Sequence, residues 1–283
     1  QRVSAGIRLE AVDTTTANTR YWCFKEVAGP NPAIPATPAS DDGCWQTNRI
    51  QTVSNNGLTP LYVMWTVDSS GNISQPISGP CSTSLRQKAA EGADPRTVVC
   101  VQTSLGELAI DIDAVNAPLA GAQFIAHTNA GFYDGTAIHR VFPNAISPQY
   151  PFAFAQGGAF VYSGATFIDK QSPFPALAAP FEYTLKNDQN TVSLMVSLDA
   201  NSNTLQFLGG FSINFANNPC LNQNDANCTD TAQSPPLPVF GRIVYGADTT
   251  VPALRNLSLT TTPWGELSQP QSPPVIYGAY RIR

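Results

Sequence analysis

Phe132-Tyr133-Asp134-Gly135-Thr136-Ala137-Ile138-His139-Arg140-Val141, followed after a gap by Ala155-Gln156-Gly157-Gly158-Ala159-Phe160, places one arginine and one glutamine among apolar and turn-forming neighbours. Asp134 and Gly135 are turn residues by chemistry, because glycine reaches positive φ without penalty and aspartate bonds the local backbone. They shape this part of the chain and do no chemistry. His139 beside an apolar strand reads as a structural, satisfied core histidine, and His127 reads the same way. Arg140 by itself reads as half of an ordinary ion pair with Asp or Glu. A functional reading needs the pattern on both sides of it.

Working outward, residues 98–103 and 108–112 flank the turn Ser104-Leu105-Gly106-Glu107, which is a β-hairpin signal. Pro118 stands at a first helical turn, Leu119, Ala122, Ile125 and Ala126 recur at three- and four-residue steps, and Gly131 offers a C-cap, so one helix of about three turns is expected. A second helix is expected over residues 251–257, with Pro252 near its start. Short apolar runs around Val192, Phe211 and Val239 supply further strands. The fold class is mainly β, a closed barrel with helical plugs.

These elements, together with Phe211-Ser212-Ile213-Asn214 and Val239-Phe240-Gly241-Arg242-Ile243, resemble in order the cyclophilin family of peptidyl-prolyl isomerases over residues 97–283. The resemblance implies a cyclophilin-like closed β-barrel with two short helices and an activity that needs no metal and no cofactor. Rotation about a prolyl amide meets a barrier of about 18–20 kcal/mol set by C–N double-bond character. A catalyst needs an apolar pocket for the proline ring and a donor that favours the twisted amide over the planar one. By resemblance the donor is Arg140, Gln156 orients it, and Phe154, Phe211, Leu221 and Ser212 bind substrate.

The chain also departs from the family pattern. Twelve residues separate Pro143 from Gln156, more than is typical, so residues 144–151 read as an insertion beside the groove. Ala153 and Phe154 stand where the family has an aromatic and a methionine, with Phe152 a possible substitute. The segment before Asn214 aligns either as Gly210-Phe211-Ser212-Ile213, placing Ser212 where the family has a pocket phenylalanine, or from Gln206-Phe207 with Leu208-Gly209-Gly210 inserted. The downstream run Asn217-Asn218-Pro219-Cys220-Leu221-Asn222 favours the first. Cys220 corresponds to the family's drug-contacting tryptophan and Leu237 to a histidine, which implies weak or no cyclosporin binding.

Composition excludes several classes. Charged residues make up 12% of the chain, the formal charge is −5, and no basic cluster exists to neutralise phosphates, so nucleic acid is not an expected partner. No apolar run reaches the roughly 18–20 residues of a membrane span, and the N-terminus shows no charged-then-apolar signal segment, so a soluble, processed chain is expected. No GxSxG, HExxH or CxxC is present, which argues against a hydrolase or a metal site. The six cysteines fall in neighbouring pairs, Cys23 with Cys44, Cys81 with Cys100 and Cys220 with Cys228. Three disulfides and an extracytoplasmic (periplasmic or secreted) location are expected, against the alternative of buried free thiols.

Residues 1–90 read as a separate small β-sandwich. Leu61, Val63, Trp65 and Val67 share one face, Asp68-Ser69-Ser70-Gly71-Asn72 turns the chain, and the proline run 29–38 is a loop. Residues 65–74 resemble immunoglobulin-like or fibronectin-like extracellular repeats, and residues 82–96 read as a linker. The expected function is prolyl isomerisation on proline-containing peptides and unfolded proteins, assisting the folding of secreted or envelope proteins. The alternatives are a catalytically weak Pro-peptide binding module on the same scaffold, or an adhesive wall-associated protein. Three N-x-S/T sequons, at Asn72, Asn227 and Asn256, carry little weight because so short a motif recurs by chance.

Overall fold

A computed structural model describes residues 2–3, 6–10, 19–27, 33–53, 58–91, 96–145, 151–178, 181–198, 205–226 and 235–283. The chain divides into two compact units, residues 1–93 with 282–283, and residues 94–281.

The larger unit is a closed antiparallel barrel. Its strands are β1 (Thr97–Thr103), β2 (Gly106–Ile112), β3 (Thr136–Phe142), β4 (Phe154–Gly157), β5 (Thr191–Leu198), β6 (Leu205–Asn214), β7 (Val239–Tyr245) and β8 (Val275–Arg281). They are bonded in the order β4-β3-β8-β1-β2-β7-β5-β6, and β4 pairs back onto β6 to close the wall. The expected hairpin is β1–β2, with Thr103 opposite Gly106. Gly106 has φ +132°, and a Cβ there would stand 2.6 Å from Thr250 Oγ1, so the turn requires glycine.

Helix α1 (Pro118–Asn129) begins on Pro118 as expected and ends before Gly131, which takes a left-handed φ of +68°. Ala117 has no side-chain oxygen to cap the first turn. The Glu182 carboxylate does so from a distant loop, accepting from the Leu119 and Ala120 N–H groups at 3.0 and 3.4 Å. Phe124 carries the helix into the core, stacked on Phe240 at 4.5 Å and edge-on to Phe211 at 5.7 Å. The second expected helix is α2 (Thr250–Arg255), which stops two residues short of Leu257.

Three buried amides, Asn218, Asn214 and Asn187, tie the loops to this wall. Asn218 clasps the backbone of Ala153 like a neighbouring strand, accepting from its N–H at 2.8 Å and donating to its carbonyl at 3.0 Å. Asn218 also donates to Asn214 Oδ1 at 2.8 Å, and Asn214 donates to Asn187 Oδ1 at 3.1 Å. Asn187 in turn donates to the Leu221 and Leu237 carbonyls and to Asn222 Oδ1. The segment entering β4 is therefore held by side chains.

In the smaller unit, Trp45–Gln46, Thr19–Val27, Leu61–Asp68 and Ile77–Gly79 form a four-stranded antiparallel sheet, and Arg2–Val3, Gly6–Glu10 and Ile50–Val53 a three-stranded one. Leu61, Val63, Trp65 and Val67 are buried, and Cys23 is bonded to Cys44 behind them. Cys81, Cys100 and Cys220 are also disulfide-bonded, while Cys228 lies outside the described residues. The expected linker at 82–96 needs correction, because Thr83–Ala90 is a helix capped by Ser82, whose Oγ accepts from the Leu85 N–H. Its polar composition hides a buried face of Leu85, Arg86 and Ala89. The Arg86 guanidinium is satisfied by the Thr59, Pro60 and Pro80 carbonyls.

Removing Asn218 leaves the Ala153 N–H and Asn214 Oδ1 buried with one partner fewer, each costing about 1–3 kcal/mol. Asn218→Ala is expected to lose about 2–4 kcal/mol of stability in urea unfolding.

Candidate active site

Arg140 on β3 lies opposite Gln156 on β4, and Gln156 lies opposite Ser212 on β6. The three form one row across the strands that close the barrel. The row runs through hydrogen bonds: Arg140 Nη1 donates to Gln156 Oε1 at 3.3 Å, and Gln156 Nε2 donates to Ser212 Oγ at 3.1 Å. The two glycines after Gln156 follow from close approach. A Cβ on Gly157 would meet Ile138 Cδ1 at 2.5 Å, and Gly158 has φ +91° with the Tyr133 ring 2.9 Å from where its Cβ would stand.

The guanidinium is also held on its other edge. Nε and Nη2 donate to Oε1 and Oε2 of Glu266 at 2.7 Å each, a two-pronged charge-assisted contact between residues 126 apart in sequence. Glu266 sits in the turn joining the short strands Leu259–Thr261 and Leu267–Pro270. Its N–H donates to Thr262 Oγ1 at 3.0 Å, its carbonyl accepts from the Thr262 N–H at 2.8 Å, and Ser268 Oγ donates to its carboxylate. Burial pushes the Glu266 carboxyl up, but hydrogen bonds from Arg140 and Ser268 and the Arg140 charge outweigh it and hold the group below the usual carboxylate range. The Arg140 side chain stays 32% exposed while that of Glu266 is 5% exposed, so the arginine faces solvent and the glutamate does not.

Aromatic rings flank the guanidinium. Its Cζ lies 4.9 Å from the Phe142 centroid and 5.7 Å from that of Phe154. Phe152 stacks on Phe154 at 5.0 Å and meets Phe142 edge-on at 5.4 Å.

Of the other sequence-derived residues, Ser212 is fully buried beneath Gln156. The register sets Ser212 opposite Gln156. Phe207 packs instead on His127, ring centroids 5.1 Å apart. Phe211 is 1% exposed and edge-on to Phe124 and Tyr133, and Phe142, Phe152 and Phe154 are buried to a similar degree at 0, 5 and 2%. Leu221, in the short 3-10 turn Pro219–Leu221, is likewise fully buried. Of the inserted segment, residues 146–150 lie outside the described residues. Arg255 ties down its start by donating to Pro143 O at 2.7 Å and Asn144 Oδ1 at 2.6 Å.

His139 packs its ring on Phe160 at 4.5 Å, and burial first, then the Arg140 charge, lowers its pKa to about 3. His127 is bonded to Gln123 O and Ser172 Oγ, and burial lowers its pKa too. A cavity of about 610 Å³ opens elsewhere on the barrel, lined by residues including Arg96, Asp111, Lys186 and Arg242, and contains none of Arg140, Gln156 and Ser212. Among the described residues no group of three or more His, Cys, Asp or Glu is placed to hold a metal ion. Sequence reasoning passed over Phe142 and Glu266. Phe142 stands two residues after Arg140, whereas nothing local marks Glu266, a lone acid in a distant turn.

Residues 98–278 match the family model described as cyclophilin type peptidyl-prolyl cis-trans isomerase/CLD. The chain is 28% identical over 183 residues to peptidyl-prolyl cis-trans isomerase cyp18 of Streptomyces antibioticus, covering 65% of this chain and 97% of that one. It is 29% identical over 159 residues to peptidyl-prolyl cis-trans isomerase A of Dickeya dadantii, covering 56% and 72%. Among solved structures, a cyclophilin type peptidyl-prolyl cis-trans isomerase of Cryptosporidium parvum aligns with a TM-score of 0.43 at 20% identity, covering 66% of this chain and 97% of that one.

Burial lowers the folded-state pKa of both histidines, that of His139 to about 3, whereas in the unfolded chain they titrate near 6.5. The unfolded state therefore binds more protons below that value, and stability falls as pH drops through about 6.5 towards 4, by up to about 1.4 kcal/mol per pH unit for each fully titrating histidine. Glu266, whose folded pKa is depressed from 4.5, adds to the fall as pH drops through that value. Urea midpoints measured between about pH 7 and 5 are expected to decline, and His139→Gln to flatten that profile.

Proposed function

The chain belongs to the cyclophilin type peptidyl-prolyl cis-trans isomerase family, and from that premise we propose that Arg140 is the donor that stabilises the twisted prolyl amide. As the C–N bond rotates, nitrogen loses conjugation and gains lone-pair character, and a nearby cationic N–H is worth more to that state than to either planar isomer. No bond is made or broken, so the reaction requires no nucleophile and no group poised to exchange a proton. The observation that carries this reading is the row Arg140–Gln156–Ser212, with a partly exposed guanidinium at its open end.

In this scheme Gln156 orients Arg140 through Oε1 and is itself oriented by Ser212. Phe154, supported by Phe142 and Phe152, offers the proline ring an apolar wall. Ser212 leaves the pocket short of one aromatic, and Leu221 contributes packing beneath it. The substrates are proline-containing segments of unfolded secreted or envelope proteins. The Cys23–Cys44 bond, with no free cysteine among the described residues, supports an extracytoplasmic setting. The smaller unit is read as an immunoglobulin-like or fibronectin-like module on the strength of its antiparallel sheet around Trp65. A second reading, a Pro-peptide binding module of low turnover, draws on the engagement of two Arg140 donors by Glu266 and on the missing aromatic.

In a prolyl-peptide isomerase assay, Arg140→Ala is expected to lower kcat/KM by about a hundredfold or more. A variant as fast as the parent overturns the mechanism. Cyclosporin is expected to bind weakly or not at all, because Cys220 stands at the tryptophan position. Tight, saturable binding in a calorimetric titration would contradict that.

A further inference from the structure

Arginine carries five N–H donors in a planar fork. In Arg140, Nε–H and one Nη2–H are taken by the two Glu266 oxygens, and one Nη1–H by Gln156. Among the described residues two N–H bonds remain without a partner, one on each terminal nitrogen. With its other hydrogen on Glu266, the Nη2 one points off the end of the fork, on a side chain that is 32% exposed. The glutamate edge and the ligand edge of one guanidinium are thus separate.

Glu266 is itself rigidly held. Its backbone is bonded in both directions to Thr262, its carboxylate accepts from Ser268, and Gly265 makes the turn at φ +90° with its N–H on the Thr262 carbonyl at 2.9 Å. A bare ion pair between a half-exposed arginine and a buried glutamate is weak grounds for a stability role. A carboxylate against the catalytic cation also subtracts from its field. What the contact does supply is geometry. It fixes the plane and rotation of a side chain that would otherwise have to be frozen when substrate binds.

We infer that Glu266 is a positioning residue for the isomerase reaction, clamping the Nε/Nη2 edge of Arg140 so that its remaining terminal N–H groups are presented to the prolyl amide. This rests on the reading of Arg140 as the donor. Gln156 accepts from Nη1, the Phe142 and Phe154 rings flank the guanidinium, and Glu266 acts only through Arg140.

The test uses the full chain with Glu266→Ala, Glu266→Gln, Arg140→Ala and the Arg140→Ala/Glu266→Ala pair, with kcat and KM measured separately on one prolyl peptide. Glu266→Ala is expected to lower kcat by about tenfold or more with KM within about twofold of the parent, since a positioned donor acts on the transition state. Glu266→Gln keeps an amide oxygen for one of the two N–H donors and is expected to recover part of the loss. The double variant is expected to be no slower than Arg140→Ala. In ¹⁵N NMR the Arg140 Nε–H signal is expected to be sharp in the parent and broadened by solvent exchange in Glu266→Ala. If Glu266→Ala fails to fold, a Glu266→Gln rate between those of the parent and Arg140→Ala supports the inference, and a parental rate overturns it. Parental or faster turnover in Glu266→Ala alongside a slow Arg140→Ala overturns the positioning role and leaves the donor standing. Parental turnover in Arg140→Ala overturns the donor reading and the clamp with it.

Discussion

Closure of the barrel through β4, a strand of only four residues, is the constraint on which the rest of the site depends. β4 is bonded to β3 on one side and β6 on the other, and that double pairing alone brings Arg140, Gln156 and Ser212 into one row. The strand is too short to hold itself. Gly157 allows the close approach of β3, and the Asn218 clasp on Ala153 delivers the chain into register. Phe152 and Phe154 lie on the same short segment, so the apolar wall and the polar row are set by one piece of backbone.

The electrostatics suit a reaction in which nothing is transferred. His139, adjacent in sequence to Arg140, is kept neutral by burial, so no second cation competes beside the guanidinium. The hydrogen bonds from Arg140 and Ser268 hold the Glu266 carboxyl below the usual carboxylate range. Over the neutral pH range the site therefore presents one fixed cation, one fixed anion and one amide, each with its hydrogen-bonding role already assigned. Preorganised donors of this kind need no reorganisation at the moment of reaction.

Features encoded within a few residues were legible in the sequence. Pro118 and Gly131 bracket a helix because proline and glycine act on their own backbone, the β1–β2 hairpin announces itself through its turn, and the QGG run reflects a local lack of room for Cβ atoms. Features supplied from a distance were not. Glu182 caps α1 from more than 60 residues away, and Glu266 meets Arg140 across 126. The helix at Thr83–Ala90 looked like a linker because its buried face carries an arginine whose partners are carbonyls of other loops. Phe211 meets the Phe124 ring edge-on, a contact set by register with strands far off in the sequence and so invisible locally.

The most direct measurement is exchange NMR on an Ala-Pro-containing peptide in excess over the full chain. Cross peaks between the cis and trans forms at substoichiometric protein, with contacts from the proline ring protons to the Phe152 and Phe154 rings, are the predicted result. Peptide binding at this wall without exchange cross peaks would contradict the account, because the row headed by Arg140 would then hold a prolyl segment without easing its rotation.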